Sequence, residues 1–316
     1  MDRLISTALI ERLSTLGEFL SSHLIGQAEV IADITDLLQQ SFCGAWFSEQ
    51  PLASILLLGP TGVGKTALAE LCNEHLFGSS EKLIRLDMSE FQNQSALERL
   101  IGNRVTDRGL FGHYYDRSQG SGTLLFDEIE KAEPQILDIL LQILSAGRFT
   151  LGNGETLDLS RYVVFATSNI GSRVLMGSRN TDRETVVGRT LTAVEADMRP
   201  ELVGRFDLIA CFNKLDYQSL KAIARLHMDK CLQKINALGH QLAIGDGVLG
   251  CILRQGYSEK FGARPVRNAA MRILGGAIKN EMLTNGGGPV CGVLEYDRRA
   301  NRCFINELGV CDRRSA

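Results

Sequence analysis

The sequence lacks the features that mark membrane, secreted and zinc-binding proteins. None of its apolar runs approaches the ~20 residues that a membrane-spanning helix needs. Residues Met1–Ile10 lack the long apolar stretch and the small-residue cleavage site of a secretory signal. The eight cysteines include no Cys-x-x-Cys pair, and no His-Glu-x-x-His spacing occurs. We therefore expect a cytoplasmic protein with reduced, buried thiols, no membrane partner and no zinc site.

The net charge of −3 is divided unevenly along the chain. Residues up to Asn213 include 18 basic and 28 acidic side chains, whereas those from Lys214 onward include 16 basic and 9 acidic ones. One interpretation is a head-to-tail ring in which the basic part of one subunit meets the acidic part of the next. The alternative is a loosely basic surface without a partner. No dense Lys/Arg run interleaved with aromatics occurs, so nucleic acid is not an expected partner.

Apolar runs predict a large α/β domain over residues 1–213, beginning with two amphipathic lead-in helices. Helical patterns at Thr66–Leu76 and Pro134–Ser145 lie between short apolar runs that are typical of buried strands. Such strands, alternating with helices, indicate a mostly parallel sheet that is covered on both faces. The predicted strands are Ser54–Leu58, Leu83–Asp87, Thr123–Phe126, Tyr162–Ala166 and Leu208–Phe212.

Residues 214–316 have a different character and predict a second, small domain. Helical patterns dominate from Gln218 to Leu238 and from Pro265 to Leu283. A glycine run then breaks the chain, and two strand-like pieces follow it, at Val290–Tyr296 and Arg302–Ile305. We expect a small, mostly helical domain that a hairpin closes.

The segment Gly59–Thr66 fits the pattern G-x-x-x-x-G-K-[ST]. It lies between the predicted strand Ser54–Leu58 and the predicted helix Thr66–Leu76. Its glycines let the backbone curl so that N–H groups face phosphate, and the helix N-terminus adds positive potential. Lys65 is expected to reach the β- and γ-phosphates of ATP, and the Thr66 hydroxyl to help hold Mg²⁺. The predicted nucleotide-binding residues are Gly59, Pro60, Thr61, Gly62, Val63, Gly64, Lys65 and Thr66.

The predicted strand Thr123–Phe126 ends in two carboxylates, Asp127 and Glu128. Acids at a strand end are usually only solvated, but a phosphate-binding loop in the same chain favours a catalytic interpretation. Asp127 is expected to hold Mg²⁺ together with Thr66, either directly or through a bound water, and Glu128 to polarise the attacking water. The sequence therefore predicts an enzyme that hydrolyses the β–γ phosphoanhydride of ATP.

Nine short motifs follow one another between residues 24 and 265. They are Leu24–Gln27, Gly59–Thr66, Asp87–Phe91, Arg99–Gly102, Phe126–Ala132, Thr167–Ser172, Arg199–Leu202, Gly204–Asp207 and Gly262–Pro265. With these motifs in this order, the chain resembles the Clp group of AAA+ protein-remodelling ATPases, in particular the second ATPase module of the two-ring Clp disaggregases. The resemblance implies a three-layer α/β sandwich with a parallel sheet, followed by a small helical domain with a terminal hairpin.

The resemblance also implies roles for single residues. Ile25 would line the adenine pocket, and Asn169 would be the first sensor of the γ-phosphate. Arg205 resembles the arginine finger that reaches the ATP of a neighbouring subunit, and Arg264 resembles the second sensor. A finger that acts between subunits implies a ring, most simply a homo-hexamer. The alternatives are a turn-forming Asn169 and surface arginines without a role.

The chain departs from the Clp pattern at the loop that grips polypeptide. The family has a Gly-aromatic-Val-Gly loop, whereas the match here is Gly109–Gly112, with Leu110 in the aromatic position and Phe111 after it. The surrounding segment Asn103–Gly122 predicts irregular structure with the usual helix largely missing. Two interpretations remain open: Leu110 and Phe111 form the pore grip, or these side chains pack locally.

Other family features are missing as well. The 316 residues leave no room for a first ATPase ring, a substrate-collecting N-domain or a middle coiled coil, and Gly171–Arg199 has no peptidase-docking tripeptide. The leading hypothesis is an ATP-driven remodeller that pulls on a polypeptide substrate. The alternatives are a dedicated accessory ATPase of a secretion, conjugation or mobile-element system, a nucleic-acid loader, and a nucleotide-gated scaffold.

Overall fold

A five-stranded parallel sheet forms the centre of the first of two units into which the chain divides, Met1–Lys214 and Leu215–Ala316. The computed structural model describes residues 7–44, 49–102, 107–177, 183–258 and 261–306. The strands are β1 (Ala53–Leu58), β2 (Leu83–Asp87), β3 (Gly122–Asp127), β6 (Tyr162–Ser168) and β7 (Leu208–Cys211), in the order β2-β3-β6-β1-β7. Every residue of β1, β3 and β6 is buried, as expected for strands with both faces covered. The predicted α/β fold is confirmed.

Helices flank this sheet, and their ends follow from the sequence. A helix from Pro134 to Ala146 has proline in its first turn, and Gly147 ends it with a φ of 56°. Proline suits the first helical position and glycine the left-handed residue after the last one. The helices are α1 (Thr7–His23), α2 (Ala28–Gly44), α3 (Lys65–Phe77), α4 (Gln94–Ile101), α5 (Gly109–Ser118), α6 (Pro134–Ala146), α7 (Ser172–Gly177), α8 (Arg183–Asp197) and α9 (Pro200–Val203).

The turn between α1 and α2 is fixed to the end of β7 by a buried amide. The Gln27 side chain donates to the Asn213 carbonyl at 2.9 Å and accepts from the Asn213 N–H at 2.9 Å. Gln27 has no solvent exposure, so both bonds satisfy groups that would otherwise be buried without partners. The pair holds the turn that contains Leu24 and Ile25 next to the end of β7.

The segment around Phe111 differs from its prediction. It contains the regular helix α5, and Phe111 is fully buried, with its ring edge-on to Phe149 at a centroid distance of 4.9 Å. Leu110 is half-buried against the same core. The assignment of Phe111 to the pore grip is therefore wrong, because a side chain without exposed surface cannot hold a polypeptide. The local-packing alternative describes both residues.

Replacing Phe111 with alanine is expected to lower the free energy of unfolding by about 3–5 kcal/mol, since a buried aromatic leaves a cavity. Urea unfolding of the full chain, followed by far-UV circular dichroism, measures the change. Phe111→Leu is the matched control and should cost less than about 1.5 kcal/mol, because it keeps most of the apolar volume. If Phe111→Ala unfolded at the same urea concentration as the native chain, the burial of Phe111 would be contradicted.

A short hairpin, absent from the sequence prediction, follows α6. It consists of β4 (Arg148–Thr150) and β5 (Thr156–Asp158), and its turn is hydrogen-bonded to the end of α4 through Gly152 N–H and the Ile101 carbonyl, at 2.9 Å. Three-residue strands carry too little periodicity to be recognised in a sequence.

The second unit combines three helices with a small mixed sheet. Its elements are α10 (Tyr217–Ala237), β8 (Gln241–Ile244), α11 (Val248–Gly256), α12 (Arg264–Thr284), β9 (Cys291–Asp297) and β10 (Arg302–Asn306). The predicted hairpin is present as β9 and β10, and β8 adds a third strand parallel to β9. The unit is mostly helical, as predicted.

The cysteines follow their prediction only in part. Cys291 is disulfide-bonded, so the expectation of reduced thiols is wrong at this residue. The free cysteines among the described residues are Cys43, Cys72, Cys211, Cys231, Cys251 and Cys303, of which Cys72, Cys211 and Cys251 are buried. No helix in the described part of the chain combines the length and apolarity that a bilayer crossing requires.

Candidate nucleotide-binding site

The loop from Gly59 to Thr66 connects the carboxyl end of β1 to the first turn of α3. Gly59 and Gly64 have φ values of 151° and 111°, which disfavour any residue with a Cβ. A Cβ on Gly64 would lie 2.4 Å from Leu24 Cδ1, and one on Gly59 would lie 2.8 Å from Phe212 Cβ. The glycines thus let the backbone turn tightly in front of a helix N-terminus, which is the geometry that binds phosphate.

Lys65 lies inside this loop with its ammonium group held by three oxygens. Its Nζ donates to the carbonyls of Gly59 at 2.6 Å and Pro60 at 3.0 Å, and to Asn169 Oδ1 at 3.0 Å. The residue is 7 % exposed, and a charge that is so buried requires such partners. The charge is therefore placed in the loop itself, where it can neutralise phosphate oxygens.

Thr66 and Asp127 form the candidate magnesium ligands. Thr66 Oγ1 donates to Asp127 Oδ1 at 3.0 Å, and the Thr167 hydroxyl donates to the same oxygen at 2.6 Å. The other oxygen, Oδ2, accepts from Arg85 Nη2 at 2.7 Å. A hydroxyl beside a carboxylate supplies the hard oxygen ligands that Mg²⁺ prefers, so the residues present fit this ion.

Glu128 follows β3 with a φ of 59°, in the left-handed region. For a residue other than glycine this conformation costs about 1–2 kcal/mol, and such backbone is concentrated at functional sites. The Glu128 N–H donates to the Thr167 hydroxyl at 2.9 Å, and the carboxylate is ion-paired with Lys131. The hydrogen bond from the Lys131 ammonium to the Glu128 carboxylate raises the pKa of Lys131 above its ordinary value. The Glu128 side chain is 31 % exposed, so water can reach it.

Asn169, one residue beyond β6, connects the phosphate-binding loop to the acidic segment. Its Oδ1 accepts from Lys65 and from the Thr61 hydroxyl at 3.3 Å. Its Nδ2 donates to Glu130 Oε1 at 3.1 Å and to Glu128 Oε1 at 3.4 Å. The amide is therefore oriented by groups on both sides, with its nitrogen toward the carboxylates.

The structure thus brings together eight of the predicted site residues: Gly59, Pro60, Thr61, Lys65, Thr66, Asp127, Glu128 and Asn169. Ile25 is half-buried in the turn after α1, adjacent to Leu24, which lies against Gly64. Pro60 and Val63 are buried in the loop, whereas Thr61 and Gly62 are half-buried.

The resemblance assigns two arginines to the site. Arg205 is exposed and precedes β7, at the amino end of the strands, whereas the loop follows the carboxyl end of the neighbouring strand β1. Arg264 is exposed in the first turn of α12, in the second unit. Their roles remain predictions.

Three neighbours of the predicted site residues were assigned no role in the sequence analysis. Thr167 contacts both acidic residues, Glu130 orients Asn169, and Arg85 pairs with Asp127. Arg85 had one visible signal: it is a charged residue within an apolar strand, two positions before Asp87 on the same face. A strand that ends at a site tends to direct such a residue toward it.

The chain is similar to known proteins of the AAA and ClpB families. Residues 50–209 match the AAA domain of the Cdc48 subfamily, and residues 215–289 match the C-terminal, D2-small domain of ClpB protein. Among curated relatives, chaperone protein ClpB 2 of Nostoc sp. is 34 % identical over 282 residues, which cover 86 % of this chain and 32 % of the relative. A ClpA homolog of Porphyra purpurea, an ATP-binding subunit of the ATP-dependent Clp protease, is 33 % identical over 303 residues, covering 90 % and 37 %.

Solved structures give the same result. The Saccharomyces cerevisiae Hsp104–ADP complex has a TM-score of 0.82 at 27 % identity and covers 95 % of this chain and 54 % of that one. Hsp104 with ATPγS and FITC casein, in a closed state, has a TM-score of 0.84 at 27 % identity and covers 96 % and 52 %. The chain spans about a third of the length of the curated relatives it matches.

Proposed function

The chain belongs to the AAA domain family, Cdc48 subfamily, and we propose that it binds Mg-ATP at Gly59–Thr66 and hydrolyses it. The observation that carries this proposal is the hydrogen-bonded group of Lys65, Asn169 and Glu128 beside the Thr66–Asp127 pair. Phosphoryl transfer needs little covalent help from a protein. It needs positive charge on the phosphates, a positioned water and a carboxylate that orients it.

Each side chain has one task in this mechanism. Lys65 exchanges its loop carbonyls for phosphate oxygens and neutralises them. Thr66 and Asp127 hold Mg²⁺, which when bound supplies charge stabilisation for the transferring phosphoryl group. Glu128 accepts a hydrogen bond from the attacking water, and Asn169 holds that water or the γ-phosphate in line. Lys131 pairs with Oε2 of Glu128, so Oε1, which lies next to the Asn169 amide, is the oxygen proposed to accept the hydrogen bond of the water.

We further propose that the active form is a ring, most simply a homo-hexamer, in which Arg205 acts on the nucleotide of a neighbouring copy. The Ser54 hydroxyl donates to the Arg205 carbonyl at 3.3 Å. Ser54 lies five residues before Gly59 along an extended strand, a separation of about 16 Å. Arg205 therefore begins too far from its own phosphate-binding loop to contact it. Arg264 is proposed to sense the γ-phosphate from the second unit.

The work that hydrolysis performs is proposed to be the remodelling of polypeptide. The relatives include proteins named as chaperones, and one similar structure was determined with FITC casein. A second candidate is a dedicated accessory ATPase that remodels one partner. The burial of Phe111 favours it, because the Gly109–Gly112 match then carries no exposed aromatic for gripping polypeptide in general.

Steady-state ATP hydrolysis by the full chain, with and without an unfolded polypeptide such as casein, separates these two functions. A general remodeller is expected to hydrolyse ATP several-fold faster with polypeptide present, since substrate contacts favour the active ring. Glu128→Gln provides the blank. A hydrolysis rate that polypeptide does not change would support the dedicated ATPase. A rate no higher than that of Glu128→Gln would contradict the proposal that the chain hydrolyses ATP.

A further inference from the structure

Arg85 lies beside the candidate magnesium ligand although no motif assigns it a role. Arg85 lies opposite Leu125 in the pairing of β2 with β3, and Asp127 is two residues further along β3. Side chains two residues apart share a face of a sheet, so the guanidinium reaches the carboxylate directly. Arg85 Nη2 lies 2.7 Å from Asp127 Oδ2, and Nη1 lies 2.9 Å from Glu70 Oε1.

The helix on this face supplies the other members of the network. Thr66 and Glu70 are four residues apart on α3, and side chains at this spacing lie one above the other. Thr66 contacts Asp127, and Glu70 contacts Arg85. The four side chains form a continuous series of contacts in the order Thr66, Asp127, Arg85 and Glu70. Two side chains of α3 are thereby hydrogen-bonded to one side chain of β2 and one of β3.

The shortest hydrogen bonds to the two oxygens of Asp127 come from different groups. Oδ1 accepts from the Thr167 hydroxyl at 2.6 Å and from the Thr66 hydroxyl at 3.0 Å. Oδ2 accepts from Arg85 at 2.7 Å and lies farther from the Thr66 hydroxyl, at 3.3 Å. Because a planar guanidinium fixes a carboxylate in direction, Arg85 keeps Oδ1 turned toward Thr66. The other nitrogen of the guanidinium, Nη1, donates to Glu70 Oε1, so both of its terminal nitrogens have a carboxylate partner.

We propose that Arg85 is a positioning residue that sets the Mg²⁺ affinity of this site, with Glu70 as its counter-charge. This inference rests on the proposed function, because it requires Mg-nucleotide to bind at Thr66 and Asp127. The positive charge of Arg85 reduces the negative potential that Asp127 offers to a divalent cation, and Glu70 restores part of it. Arg85 thereby orients Asp127 and at the same time lowers the affinity of the site for Mg²⁺.

Opposite effects are therefore expected from removing the two charges. Arg85→Met should raise the Mg²⁺ affinity about tenfold, because a cation close to the metal ligand is removed. Glu70→Gln should lower it about threefold, a smaller effect because Glu70 contacts Arg85 and is therefore one side chain further from the metal ligand. Arg85→Met should also lower kcat, because Asp127 loses its fixed direction. A residue with only a structural role would not produce two shifts of opposite sign.

The test measures the free Mg²⁺ concentration at which a fluorescent ATP analogue is half-maximally bound by the full chain. Arg85→Lys keeps the charge but cannot contact both carboxylates with a planar fork. It should leave the half-maximal Mg²⁺ concentration within about twofold of the native value while lowering kcat. Arg99→Met is the matched control, since Arg99 is an exposed arginine 3.8 Å from Glu90 and outside the site. It should change neither quantity.

The outcomes separate this inference from the proposed function. If nucleotide binding to the native chain does not depend on Mg²⁺, the proposed magnesium site itself fails. If the native chain depends on Mg²⁺ but Arg85→Met and Glu70→Gln shift that dependence in the same direction, or not at all, the inference about Arg85 is overturned alone. Should Arg85→Met not fold, Glu70→Gln and Arg85→Lys decide, with an unchanged Glu70→Gln overturning the inference.

Discussion

Replacing Glu128 with glutamine is expected to lower kcat for ATP hydrolysis about 10²–10⁴-fold, the usual contribution of a positioned general base. The amide has the same shape but cannot accept the proton of the attacking water. The Glu128 side chain is partly exposed and is not part of the core, so binding of a fluorescent ATP analogue should stay near the native level. Steady-state hydrolysis and equilibrium binding are the two measurements.

Glu133→Gln is the matched control, because it makes the same chemical change five residues further along, at the start of α6. It should leave hydrolysis unchanged. A Glu128→Gln variant that kept hydrolysis within about threefold of native would remove Glu128 from the mechanism. A variant that lost binding as well would indicate that the carboxylate mainly supports the fold of the site.

Replacing Arg205 with alanine is expected to lower kcat about 10²–10³-fold, as for the loss of one group that stabilises transition-state charge. Because Arg205 is exposed and lies at the amino end of the strands, away from the loop at their carboxyl end, nucleotide binding and stability should change little. Arg189→Ala, at another exposed arginine of the same unit, is the matched control and should retain full activity.

Mixing the two inactive variants tests whether Arg205 acts between copies. A Glu128→Gln subunit still offers its arginine, and an Arg205→Ala subunit still offers its glutamate. In a ring formed from equal amounts, about a quarter of the interfaces combine both intact groups, so hydrolysis should recover to roughly that share. A mixture as inactive as its parts, in rings shown to exchange subunits, would contradict action in trans.

The sequence predicted the central sheet closely and for a clear physical reason. The three inner strands are buried on both faces, so they are near-continuous apolar runs, and the observed ends of all five strands lie within two residues of the predicted ones. The loop from Gly59 to Thr66 was equally visible, because its chemistry requires fixed residue types at fixed spacing. In both cases local sequence carries nearly all the information.

Prediction failed where tertiary contacts decide the structure. The α5 segment begins with two glycines in four residues, which is typical of a loop, yet it is helical. Gly109 has a φ of 59° and its N–H donates to the Asp107 side chain, while Arg108 forms ion pairs with Asp116 and Glu155. The last of these partners lies on the hairpin after α6, too far along the chain for local patterns to include it.

The partners of Asp127 were hidden for a similar reason. Arg85 and Thr167 lie on the two strands that flank β3, and neither is close to Asp127 in sequence. Only the strand order and register place them beside the carboxylate. A single chain shows which residues can do chemistry, but the sheet decides which of them meet.

The Gln27–Asn213 pair fixes the place where the chain leaves the first unit. Asn213 is held at both its N–H and its carbonyl, and the first unit ends one residue later, at Lys214. The turn that holds Gln27 also contains Leu24, which lies against Gly64 of the phosphate-binding loop. One buried amide therefore joins the last residues of the first unit to the turn that packs on that loop.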